Sequence, residues 1–89
     1  MAHITFAPAI QRHVPTPDRH LSAASVRAAL DAVFAEQPEL RGYILDDQNQ
    51  LRRHVTVFID GTMIRDRQRL SDALRGDSKV YVVQALSGG

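Results

Sequence analysis

Gly88 and Gly89 stand together at the end of the sequence, directly after an apolar, strand-like run, Lys79-Val80-Tyr81-Val82-Val83. Two residues without side chains can enter a slot too narrow for any Cβ and can take backbone angles closed to other residues. Chemistry at such an end sits on the chain's own carboxylate. With a pKa of about 3.5 that group is anionic at neutral pH, and it resists nucleophiles until one of its oxygens belongs to a good leaving group. The bland alternative is an unpacked end, as many termini are.

Other residues invite chemistry with less support. His3, His13, His20 and His54 are potential metal ligands. No pair has the i, i+4 spacing of one helix face and no acidic residue joins them in a motif, so no metal site is expected. A Ser/His/Asp hydrolase can be composed from the residue types present, but a chain this small offers no buried base or oxyanion pocket. The chain is therefore not expected to be an enzyme, and no catalytic residue is assigned. Gly61-Thr62 lacks the second glycine and the lysine of a phosphate-binding loop, so no nucleotide cofactor is expected on this chain. Arg52-Arg53 and Arg65, Arg67 and Arg69 are either solvated loop charge or a basic face that meets an acidic enzyme surface.

Composition bounds the rest. The 89 residues are 44% apolar and 24% charged with a net charge of +1, as in an ordinary globular domain, and whole-molecule steering to nucleic acid is not indicated. There is no cysteine, which removes disulfides, thiolate nucleophiles and cysteine-based zinc sites together. A domain of this size buries only about 60–65% of its unfolded surface, enough for a single core. No long apolar stretch occurs, and Met1-Ala2-His3 opens a strand rather than a signal peptide, so a cytoplasmic protein without membrane or nucleic-acid partners is expected. Ten arginines stand against one lysine, Lys79, leaving few amines for attachment to the chain itself.

The elements that must position the end are legible as changes of period. His3-Ile4-Thr5-Phe6 alternates as a strand, and a second strand is expected around Ile10 to Val14. Pro15-Thr16-Pro17-Asp18 then breaks the chain. Val26, Ala29, Leu30, Val33 and Phe34 share one face of a helix capped by Ser22 or Ser25, with Arg27 and Asp31 paired on the wet side, and the helix ends before Pro38. Leu40 to Leu45 is an apolar cluster broken by Gly42, and Asp46 to Gln50 is an exposed loop. Val55, Val57 and Ile59 alternate with Thr56 and Phe58 as a strong strand; Asp60-Gly61 is a two-residue turn, and Met63-Ile64 runs back antiparallel. Leu70 to Leu74 suggests a short helical turn ahead of the last strand, and Phe6, Phe34 and Phe58 are assigned to the core. One helix covering one face of a sheet is a two-layer α+β domain.

These features together, namely Ile59-Asp60-Gly61, Leu74-Arg75-Gly76-Asp77-Ser78, a final apolar strand and the closing Gly88-Gly89, resemble the MoaD/ThiS family of ubiquitin-like sulfur carriers, and within it the type that feeds cysteine synthesis. The resemblance implies an α+β fold of the β-grasp, ubiquitin-like kind: a mixed sheet wrapped around one main helix over residues 1–84, with a flexible Gly-Gly tail at 85–89. It further implies that a separate ubiquitin-activating-type enzyme, using ATP and magnesium, adenylates Gly89, and that a sulfur donor displaces AMP to leave a thiocarboxylate for a sulfur-accepting biosynthetic enzyme. Ala85, Leu86, Ser87 and Gly88 would thread the partner's slot, and the five extended residues from Ala85 to Gly89 reach about 16 Å. Met63 and Val83 match the apolar patch that such carriers press on their enzymes. Family members often carry proline where Gln84 stands.

Two other readings stay open. Gly89 can form an isopeptide bond with lysines of target proteins, which would make the chain a modifier, or the domain can be a non-covalent β-grasp binding subunit with incidental glycines.

Overall fold

The computed structural model describes residues 1–84, and the tail assigned to 85–89 lies outside the described residues. Five strands form one sheet: β1 (Ala2–Phe6), β2 (Arg19–Leu21), β3 (Val55–Ile59), β4 (Thr62–Met63) and β5 (Lys79–Gln84), in the order β2-β1-β5-β3-β4. β1 and β5 run parallel at the centre, and the outer pairings are antiparallel. The sheet is mixed, and with the helices packed on one side this is the α+β, ubiquitin-like β-grasp architecture. Ile4, Phe6, Val55, Val57, Val80 and Val82 form a single buried cluster with the helical face Val26, Ala29, Leu30, Val33 and Phe34.

Three helices occur among the described residues: α1 (Pro8–Gln11), α2 (Val26–Glu36) and α3 (Pro38–Ile44). α2 is the main helix. The Ser25 hydroxyl accepts from the Ala28 N–H at 3.2 Å, and the helix stops at Gln37, ahead of Pro38. Arg27 does not pair with Asp31. Its guanidinium donates instead to the carbonyls of Asn49, Arg69 and Gln68, tying two loops to the helix.

The strand expected at Ile10 to Val14 is not formed. The segment is a single helical turn opened by Pro8, whose fixed φ suits the first helical position. Ile10 and Val14 are four apart, the spacing of a helix face rather than a strand, and the N–H of Val14 donates to the Ile10 carbonyl at 3.1 Å. The second strand lies beyond the prolines, where Leu21 pairs with Ala2 and His20 with His3.

α3 was concealed by Gly42, which sits within it at the surface. Leu40 and Ile44, one turn apart, are fully buried and hold the helix against the core. Nothing lies within 4 Å of where a Gly42 Cβ would stand. Gly42→Ala is therefore expected to raise unfolding stability by about 0.5–1 kcal/mol. Chemical denaturation checks this, and an unchanged or lowered midpoint would contradict it.

The helical turn expected at Leu70 to Leu74 is not formed: the segment is irregular chain in which Ala73 makes an isolated bridge to Ser25. The first N–H groups of α2 need acceptors, and this segment supplies them: the Asp72 carbonyl accepts from Val26 and the Leu70 carbonyl from Arg27, at 3.1 and 2.9 Å. Leu70 takes a left-handed conformation, φ 59°, which leucine disfavours, while its side chain is fully buried.

Asp66 organises the same loop. One carboxylate oxygen accepts from the N–H groups of Gln68 and Arg69, and the other from the hydroxyl and N–H of Ser71. The Ser71 hydroxyl, then the Arg69 N–H, do most to lower its pKa from 3.8 to about 2. Because the folded value is depressed, the ionised carboxylate stabilises the fold above the ordinary carboxylate pKa, and this contribution is lost as pH falls from 3.8 towards 2. Asp66→Asn is expected to flatten the pH dependence of stability across that window. Denaturation at a series of pH values tests this; an equally steep loss in the variant would refute it.

Candidate functional site

β5 is a central strand, so its end is held on both sides. The Ala7 N–H donates to the Val82 carbonyl at 2.8 Å, Phe6 pairs with Val82, and Val55 pairs with Gln84. The Gln84 side chain adds a further tie: the Tyr43 hydroxyl donates to Gln84 Oε1 at 2.8 Å. Tyr43 also packs against the His13 ring, centroids 5.0 Å apart, and meets His54 edge-on at 6.4 Å. The last described strand thus ends on a pinned residue.

Strand alternation decides what surrounds that base. Val80 and Val82 face the core, so Lys79, Tyr81 and Val83 occupy the open face of the sheet. On β3, Val55 and Val57 are buried, which sends Thr56 and Phe58 to the same open face. The register places Phe58 opposite both Tyr81 and Met63, and Thr56 opposite Val83. Met63 is 53% exposed and Tyr81 41%, unusual values for large apolar side chains. Met63 and Val83 therefore belong to one surface, joined by Phe58 and Tyr81.

Phe58 corrects the assignment of all three phenylalanines to the core. Phe6 and Phe34 are buried, but Phe58 is half-exposed at the centre of this patch. Its phase in Val55-Thr56-Val57-Phe58-Ile59 carried the signal, since it alternates with the buried valines. Tyr81 was legible in the same way.

The hairpin beside the patch is rigid for a local reason. Asp60 and Gly61 both have positive φ, 50° and 85°, as a tight two-residue turn between twisted strands requires. Asp60 also accepts from the Lys79 N–H at 3.0 Å, and its own N–H donates to the Lys79 carbonyl, which locks the turn to the start of β5.

The histidines fall into two groups. His3 and His20 stack at 4.4 Å on neighbouring strands, with His3 Nε2 3.4 Å from Asp18, and His13 and His54 flank Tyr43. Among the described residues no three His, Cys, Asp or Glu side chains gather to hold a metal ion. Nor is any helix there long and apolar enough to cross a membrane. Ala85, Leu86, Ser87, Gly88 and Gly89, the residues assigned to threading and to the chemistry, lie outside the described residues.

The fold has known counterparts. It superposes on the Haloferax volcanii protein SAMP1 with a TM-score of 0.81 at 20% identity, covering 99% of this chain and 98% of that one. The Amycolatopsis orientalis BexX/CysO complex provides a chain with a TM-score of 0.82 at 14% identity, both chains covered in full. CysO of Mycobacterium tuberculosis matches with a TM-score of 0.80 at 15% identity over 97% of this chain and 100% of that one. At these identities the likeness is one of fold. No curated protein sequence matches the chain. The family model for the ThiS family matches residues 8–89, running from the first helical turn through both closing glycines, and the chain belongs to that family.

Proposed function

We propose that the protein is a sulfur carrier whose working group is the Gly89 carboxylate. Proteins of the ThiS/MoaD type are small ubiquitin-like carriers rather than enzymes, and the activating chemistry belongs to a partner. The observation that carries the reading is the family match through Gly88 and Gly89, on a chain whose last strand is pinned at the centre of the sheet.

In the proposed sequence a ubiquitin-activating-type enzyme binds ATP and magnesium. A Gly89 carboxylate oxygen attacks the α-phosphorus, the bond to the β-phosphate breaks, and pyrophosphate leaves. A sulfide-level donor then attacks the acyl carbon, the carbon–oxygen bond to AMP breaks, and the donor's proton passes to solvent. The resulting thiocarboxylate is a softer and stronger nucleophile than the carboxylate and is consumed by a biosynthetic enzyme. Ala85 to Gly88 thread the activating enzyme's slot, while Met63 and Val83, with Phe58 and Tyr81, press on its surface. This chemistry belongs in the cytoplasm, where ATP is supplied.

A second reading, conjugation of Gly89 to lysines on other proteins, draws on the likeness to the small archaeal modifier protein of Methanosarcina acetivorans, TM-score 0.80 at 20% identity. Incubation with ATP, magnesium, the host's adenylating enzyme and sulfide separates the two. Exchange of one oxygen for sulfur in the intact mass is the expected result. Lysine-linked adducts in cells without any thiocarboxylate would overturn it in favour of the modifier.

A further inference from the structure

Leu51-Arg52-Arg53-His54 leads into β3, and Arg67 approaches it from the loop after β4. Together with Asp46 and Gln50 they line an open cleft of about 540 Å³. Two of its three arginines are held in place. Arg67 Nη2 donates to the carbonyls of Arg52 and Val55 at 2.9 and 2.7 Å, and its Nη1 to the Thr56 hydroxyl at 3.3 Å. Arg52 Nε donates to the Gly42 carbonyl at 2.8 Å.

Every one of these acceptors is neutral, so they position the guanidinium groups without cancelling their charge. The ion pairs among the described residues, His3 with Asp18 and Arg19 with Glu36, lie elsewhere. Among the described residues Asp46 is the only carboxylate lining the cleft, and its Oδ1 accepts from the N–H groups of Gln48 and Gln50 in its own loop. Three cations therefore face one anion already engaged by its own backbone.

The position of the cleft gives this excess charge a use. Arg67 touches Thr56, which pairs with Val83, and Val55 pairs with Gln84. The cleft consequently borders both the root of the tail and the apolar patch of Phe58, Met63, Tyr81 and Val83. Guanidinium groups already oriented by neutral acceptors bind carboxylates with little further ordering, and they add direction and rate to an association that apolar contact alone does not steer.

We propose that the Arg52/Arg53/Arg67 cleft is the docking site for an acidic segment, rich in Asp or Glu, on the protein that takes the tail. This rests on the carrier reading for the identity of the partner, but the chemistry of the cleft is testable without it. The open shape and the shared border with the apolar patch fit carboxylates on a protein surface covering both areas at once.

The test uses the full chain and the double variant Arg52→Ala/Arg53→Ala, with Arg12→Ala/Arg75→Ala as a control of equal charge loss away from the cleft. In ATP–pyrophosphate exchange with the host's adenylating enzyme, the cleft variant is expected to raise KM for the carrier about tenfold, leave kcat unchanged and flatten the dependence of KM on salt. Arg52→Lys/Arg53→Lys should recover part of the loss. An unchanged KM and salt slope, or an equal loss in the control variant, would overturn the proposal. Amide chemical shifts during titration with an oligoglutamate peptide read the cleft alone. Shifts centred on Arg53, His54 and Arg67 that vanish in the cleft variant support it, whereas shifts spread evenly over the surface or centred on another part of it count against it. Should unsubstituted protein give no exchange yet still bind the peptide at the cleft, the carrier reading fails and the acidic docking site stands.

Discussion

Gly89→Ala leaves the unfolding midpoint where it was and lowers the kcat/KM of adenylation by about 100-fold or more. Among the described residues the core runs from Ala2 to Val82, and the strand that precedes the tail is fixed by β1, β3 and Tyr43, so the substitution falls five positions past the last residue of that strand. In the partner's slot the added methyl displaces the carboxylate from its line of attack, and an error of about 1 Å at a reacting atom costs about 100-fold. Deleting Gly88 and Gly89 together should likewise spare stability while abolishing loading. Circular dichroism melts alongside exchange kinetics make the comparison. A large fall in melting temperature would mean that the end is structural, and full activity in the alanine variant would mean that no narrow slot receives it.

Leu30→Ala should do the reverse. Leu30 is wholly buried on α2, in the cluster formed with Phe6, Ile10, Val33 and the sheet valines. Truncation removes its transfer free energy and leaves a void, for an expected loss of about 2–5 kcal/mol. For a domain whose total stability is on the order of 5–15 kcal/mol, that is a large fraction. Below the transition, folded Leu30→Ala should still be adenylated with an unaltered kcat, because Leu30 has no part in the tail or the apolar patch. A shift of less than about 1 kcal/mol would place the side chain outside the packed core.

The two substitutions separate what the domain does from what holds it together, and the sequence reveals these unequally. β1, α2, the Asp60-Gly61 turn and β5 were legible because each has a single strong period or a turn residue whose conformation it alone favours. α1 and α3 were not, because each is short and Pro8 and Gly42, usually breakers, serve there as a helix start and a tolerated interior residue. Leu70 to Leu74 misled for another reason: its Leu-Leu spacing suits a helical turn, but the uncapped N–H groups of α2 claim its carbonyls, a tertiary demand with no local signature. In the site, Met63 and Val83 were named from the resemblance and lie on one open face of the sheet, whereas Phe58 was assigned to the core although its phase against Val55 and Val57 pointed outward. The cleft arginines are legible in the sequence only as charge, because their grouping depends on Arg67 reaching back across a loop to β3.

The most direct measurement is top-down mass spectrometry of the protein isolated from its own host, with fragmentation to locate any change. The account predicts a population in which one oxygen is replaced by sulfur, the change confined to C-terminal fragments that contain Gly89 and absent when the adenylating enzyme is deleted. A Gly89 carboxylate that is unmodified under every sulfur supply, or that is found only in amide linkage to lysine, would contradict it.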